Sequence, residues 1–145
     1  STMENKQELH NWELNLSNTK IVAEQLLALP ASFGETLVLH MKKRGITSEA
    51  MAEALGISTR KVSTLRNAVN PSISLYQVTA ICILFRLSPE FSDDMIAKAG
   101  IHPLPTPEHI ACRLLLRTMY CEELETCNVA LRAASLEPLT SEKTS

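Results

Sequence analysis

Apolar positions recur at helical rather than strand spacing along most of this chain. From Ile46 to Asn67 the pattern predicts two short helices joined by a tight turn at Gly56. Thr47 precedes the first apolar run, where its hydroxyl can accept from an orphan backbone N–H and start a helix. Ala50, Met51, Ala54 and Leu55 then share one face, and the small Ala50, Ala52 and Ala54 let a second helix approach closely. Gly56 stops the helix, because glycine takes positive φ without a Cβ penalty. Ile57 is expected to plug the corner and Ser58 to cap the next helix. In that helix, 58–67, Val62 and Leu65 face inward. Thr59, Arg60, Ser63, Thr64, Arg66 and Asn67 are left facing out, with Lys61 near the edge.

The same reading extends in both directions. Ser32, with Glu35 three residues on, reads as a capping box. Phe33, Leu37 and Met41 face the core, Lys42-Lys43-Arg44 gather at the helix end, and Gly45 terminates it. Those bases suit phosphate contact; they equally complement the negative end of the helix dipole, worth about 0.3–1 kcal/mol. Ile73, Leu75, Val78, Ile81, Cys82, Leu84 and Phe85 make a helix apolar almost all round, which marks the central core element. Tyr76 is expected at the rim of that core. Ser88-Pro89 breaks the helix, Phe91, Met95 and Ile96 belong to the next, and Gly100 caps its end.

A proline-rich joint, His102-Pro103-Leu104-Pro105, is a natural boundary. Thr106-Pro107-Glu108 then combines a cap hydroxyl, a first-turn proline and an acid near the positive helix end. Ile110, Leu114 and Leu115 form one apolar stripe; Cys112, Leu116, Met119 and Tyr120 form another. A last helix, 122–134, has Leu124, Cys127, Leu131 and Ala134 inward and is expected to cover one stripe as a helical hairpin. The preceding domain covers the other, and a stripe left bare reads as a dimer surface.

At the N-terminus, Ser1-Thr2-Met3 reads as an expression remnant. Trp12-Glu13-Leu14-Asn15-Leu16 alternates with period two, as in a short extended arm. Asn18 or Thr19 then caps a helix from Lys20 to Leu29, with Ile21, Val22, Gln25, Leu26 and Leu29 along one side, stopped by Pro30. This region can cover core, dimerise, or link to an upstream domain. The organisation expected is therefore an arm and short helix over 1–30, a helix-turn-helix domain over 31–102, a two-helix extension over 103–139 and a disordered tail over 140–145.

Composition narrows the class. The chain has 145 residues, enough for one domain with appendages. It is 45% hydrophobic but only 4% aromatic, so Leu, Ile, Val, Ala and Met must fill an all-α core. No apolar run reaches membrane-spanning length and no signal-peptide pattern is visible, so a cytoplasmic protein with no membrane partner is expected. The net charge of −2 argues against an indiscriminate nucleic-acid binder. Its distribution softens this. From Phe33 to His102 there are eight bases (Lys42, Lys43, Arg44, Arg60, Lys61, Arg66, Arg86, Lys98) against six acids (Glu35, Glu49, Glu53, Glu90, Asp93, Asp94), so the excess of acid lies in the flanks.

The 58–67 helix and its partner resemble the lambda-repressor-like (Xre/Cro-type) helix-turn-helix family, over about Phe33 to about Gly100. The resemblance implies five short helices: Ser32 to Gly45 as the first, Thr47 to Leu55 the second, Ser58 to Asn67 the third and reading helix, Pro71 to Leu87 the fourth, Ser92 to Ala99 the fifth. It also implies dimers on operators. Two departures stand out. Asn67-Ala68-Val69-Asn70-Pro71 replaces the glycine and bases that often follow the reading helix. Ser48 replaces a phosphate-bonding glutamine. Both weaken the expected grip on phosphate.

Three function classes are compared. In the first, a transcriptional regulator binds double-stranded DNA as a homodimer, with Thr59, Arg60, Ser63 and Thr64 at base edges and Ser48, Lys61, Arg66, Asn67 and Lys43 on phosphates. In the second, the same scaffold is a protein-interaction or antitoxin-like module, on its own or as a fragment of a larger regulator. The acidic flanks favour it. An enzyme is disfavoured: there is no glycine-rich phosphate loop, H-E-x-x-H or nucleophile elbow. His10, His40, His102 and His109 are scattered, His40 is expected at a helix surface or rim, and Glu122-Glu123 sit at a helix start. No metal or small-molecule cofactor is expected. Cys82, Cys112, Cys121 and Cys127 form no C-x-x-C pair and read as buried, reduced thiols. A metal set of His109, Cys112, Cys121 and Cys127 is the sharper alternative, and a disulfide requires an oxidising compartment.

Overall fold

A computed structural model describes Thr2, Asn5, Lys6 and residues 16–141. Residues 12–15 of the expected arm, Ser1 and Met3 of the expected remnant, and residues 142–145 of the expected tail lie outside the described residues. Among the described residues there are eight helices of eight residues or more and no strand. They are α1 (Thr19–Leu27), α2 (Phe33–Arg44), α3 (Ser48–Leu55), α4 (Thr59–Arg66), α5 (Leu75–Leu84), α6 (Pro89–Lys98), α7 (Pro107–Thr118) and α8 (Leu124–Ala133).

Helix α5 is the hub. Leu75, Val78, Thr79, Ala80, Ile81, Cys82 and Ile83 are all buried, as an apolar circumference requires. Helices α3, α6, α7 and α8 pack around it, while α2 and α3 hold α4 and α6 joins α1 and α2 to α5. One continuous core runs from Phe33 through Val62 and Ile81 to Leu131 and Leu139. Each large apolar side chain taken out of water contributes about 1.5–3 kcal/mol.

Local chemistry sets most boundaries. The hydroxyls of Ser32, Thr47, Ser58 and Thr106 accept from the backbone N–H three residues on. The reciprocal capping box is made by Ser74 and Gln77; at Ser32 only the hydroxyl-to-Glu35 half is present. Ser74 starts α5 at Leu75 and the helix ends at Leu84, shorter than the expected 71–87. Ser88-Pro89 opens α6 rather than merely interrupting its predecessor, because proline suits a first helical turn.

Several expectations are corrected. In α3 the buried face is Met51, Ala52 and Leu55; Ala50 is exposed and Ala54 half-buried, so the helix is rotated from the expected face. In α1, Ile21 and Gln25 are exposed and no residue is fully buried; Val22, Leu26 and Leu29 carry its partial contact. Leu16 is helical and exposed rather than extended. The last two helices do not close as a hairpin. Both press on α5 instead, with Cys112, Leu115, Leu116, Cys127 and Leu131 buried, while Ile110, Leu114 and Ala134 face solvent.

The segment after α8 is tied down as far as Thr140. Asn128, buried on α8, accepts from Leu139 N–H through Oδ1 at 2.8 Å and donates through Nδ2 to Thr140 Oγ1 at 2.9 Å. Leu139 is thereby seated in the core. Asn128→Ala leaves the Leu139 N–H without its acceptor and should destabilise the fold by about 1–3 kcal/mol in urea unfolding. An unchanged midpoint would show that the clamp adds nothing.

Candidate nucleic-acid interface

The site is built on three backbone events. Gly56 takes φ 67°, in the left-handed region, and its N–H closes the end of α3 on Ala52 and Glu53 carbonyls. Ile57 N–H then reaches Ala52 O at 3.0 Å, and Ser58 starts α4 at once. Val62 and Leu65 bury α4 against α2 and α3. The third event is a close approach. Gly34 N–H, an orphan donor in the first turn of α2, donates to Ala68 O just past α4 at 2.9 Å. The start of α2 therefore fixes the end of α4.

The outward surface of α4 is as expected from its period. Thr59, Arg60, Ser63, Thr64, Arg66 and Asn67 are exposed and Lys61 is half-buried. No acid and no large apolar side chain lies on that face within the helix. Among the described residues, α8 leaves that face exposed.

Not every expected contact residue is equally available. Thr64 Oγ1 donates back to Arg60 O at 3.0 Å, leaving it lone pairs to offer a base. Asn67 Nδ2 donates to Ser63 O at 2.9 Å and caps the helix end. Lys61 Nζ donates to Ser72 O at 3.0 Å, strapping the following loop to α4. Arg66 Nη1 donates to Ser48 Oγ at 3.2 Å, bringing two expected phosphate residues together at the start of α3. Thr59, Arg60 and Ser63 have no side-chain hydrogen bond among the described residues. Lys43 is exposed at the end of α2.

A groove of about 330 Å³ lies between the end of α2 and the start of α3, lined by Val38, Met41, Lys42, Gly45, Ile46, Thr47, Ser48 and Arg66. A phosphate seated there meets the Arg66 guanidinium, the Lys42 ammonium and the positive end of α3. Lys42 was visible in the Lys42-Lys43-Arg44 run, but only the helix rotation shows that it, rather than Lys43, borders the groove.

The buried chemistry elsewhere is structural. His40 is buried, 4% exposed, on the inner stripe of α2 with Phe33, Thr36, Leu37 and Met41, correcting the expected surface position. Burial, then the nearby Lys43 and Arg44 charges, lower its pKa to about 4. Its ring stands edge-on to Phe91, centroids 6.1 Å apart, and among the described residues Nε2 has no hydrogen-bond partner. Tyr76 is half-buried against the core, and burial raises its pKa. Burial also pushes Cys82 up to about 12 and Cys112 up to about 11, and raises Cys127. Cys121 is exposed, against expectation. Among the described residues no His, Cys, Asp and Glu group could hold a metal ion; His109 Nδ1 instead accepts from Leu104 N–H at 2.9 Å.

Residues 38–90 match the family model of the Cro/C1-type HTH DNA-binding domain. Over those residues the chain is similar to that family. The match covers α3, α4 and α5, reaching from within α2 to the first turn of α6. Neither the curated proteins nor the solved structures gave a match to the chain. Among the described residues no helix is long and apolar enough to cross a membrane.

Proposed function

We propose that this chain is a sequence-specific transcriptional regulator that lays α4 in the major groove of double-stranded DNA as a homodimer. The observation that carries the reading is the outward face of α4: cations, hydroxyls and an amide, all exposed, with no acid among them. Arg60 is the base-reading residue, since its planar fork matches the acceptor pair on guanine. Thr59, Ser63 and Thr64 read neighbouring edges. Ser48, Arg66, Lys43, Lys61, Asn67 and, in addition, Lys42 position the duplex through phosphate. One domain meets few phosphates, so two copies on half-sites about one helical turn apart supply the affinity.

Fluorescence anisotropy with duplexes selected from a random pool and with unselected duplexes tests this. Arg60→Ala should cost about 1–3 kcal/mol on the selected site and little on random DNA. Lys43→Ala should weaken both alike and reduce the log–log salt slope by about 0.9. Equal binding of both duplexes by wild type and Arg60→Ala would remove the base-reading role. No binding at low salt would favour a second reading, a protein-interaction module on the same scaffold. That alternative draws support from the internal bonds that engage Lys61 and Arg66.

A further inference from the structure

Helices α7 and α8 each keep a free face because both are pinned to α5. On α7 that face carries Ile110 and Leu114, 57% and 58% exposed, beside the exposed Arg113 and Arg117. Positions 110, 113, 114 and 117 lie on one helical stripe, opposite the buried Cys112, Leu115 and Leu116. Neither arginine makes an ion pair among the described residues. On α8 the free face carries Val129, 55% exposed, with exposed Glu125, Thr126 and Ala133; exposed Glu122 lies just before the helix. Glu125 holds Arg132 of its own helix only by a long, exposed contact of 3.4 Å. One face is apolar with positive flanks; the other is apolar with carboxylates at its N-terminal end and the half-buried Arg132 towards its C-terminal end. Within one chain they cannot meet, since the inner side of each helix is already committed to α5.

We infer that two copies of this chain associate through these faces, α7 of one protomer against α8 of the other, the contact being repeated by the two-fold axis. Ile110 and Leu114 cover the partner's Val129. Arg113 and Arg117 meet the partner's Glu122 and Glu125. The charge match favours α7 on α8, since α7 on α7 would oppose four cations with no carboxylate between them. This inference rests on the dimeric reading above and names the surface that makes the dimer.

Sedimentation equilibrium of the full chain without DNA tests it. Wild type should dimerise, and added salt should weaken the dimer. The pair Arg113→Glu with Arg117→Glu should raise the dimer Kd by at least about tenfold, with the helical circular dichroism unchanged. Glu122→Arg with Glu125→Arg should do the same, and an equimolar mixture of the two variants should restore a mixed dimer. Should the acidic-face variant lose its fold, Leu114→Asp provides the second disruption. Wild type that stays monomeric at its highest soluble concentration overturns both this surface and the dimeric reading. A dimer indifferent to the charge reversals and to Leu114→Asp overturns the surface alone.

Discussion

Gly34→Ala should lower the stability of the fold by about 0.5–3.5 kcal/mol and weaken DNA binding in the molecules that still fold. A Cβ at position 34 would lie 2.4 Å from Arg66 O, 2.8 Å from Arg66 C and 2.9 Å from Ala68 N. All three are backbone atoms, so no rotamer change relieves the clash. The helices must separate, at about 1–3 kcal/mol for overpacking. The Gly34 N–H to Ala68 O bond, 2.9 Å long, is lost or stretched, at about 0.5–1.5 kcal/mol more. Because α2 sets the end of α4, the same displacement tilts α4 and shifts Arg66 from Ser48. Helix propensity alone argues the other way, since alanine in a helix is better than glycine by about 1 kcal/mol. The sign of the change in urea midpoint therefore decides: a stabilised Gly34→Ala would show that the close approach does not constrain the fold.

Acid should unfold this protein through His40. The group is neutral in the fold with a pKa lowered to about 4, while in the unfolded chain it titrates near 6.5. Between those values the unfolded chain binds the proton and the folded one does not. Stability is thus fully present above about pH 6.5 and falls as the pH drops towards about 4, by up to about 3 kcal/mol. The neighbouring charges are mixed: Lys43, Arg44 and Lys98 oppose protonation and Asp94 favours it. Lys98 is itself engaged, with Asp94 Oδ2 at 2.9 Å and Thr36 Oγ1 at 3.2 Å, so Asp94 is partly neutralised. Urea unfolding across this range, on wild type and on His40→Gln and His40→Leu, isolates the residue. The variants should lose most of the slope, and a slope that persists in both would assign it to carboxylates elsewhere.

Helix α4 was legible because its signals are local. Ser58 caps it, Gly56 ends its predecessor, and Val62 and Leu65 set its inner side, all within eleven residues. The burial of His40 was half legible. Phe33, Thr36, Leu37, His40 and Met41 form a complete helical stripe, but a polar residue type hid the position that the period gave. What closes over it, Phe91 on α6, is a tertiary partner that no local pattern names. The same holds for Gly34 against Arg66, for Lys61 on Ser72 and for Arg66 on Ser48, each joining segments distant in sequence. The hairpin expectation failed for a related reason. Amphipathic period shows that α7 and α8 each need a surface to bury against, not that the surface is the same third helix.

One further property of the fold is practical. Four cysteines divide into three sequestered thiols and Cys121, which stands in the connection between α7 and α8 with its carbonyl held by Arg86. Wild-type protein should accept a single maleimide fluorophore without prior mutagenesis. A dye at that place sits next to the faces assigned to self-association, so energy transfer between labelled copies reports their distance directly.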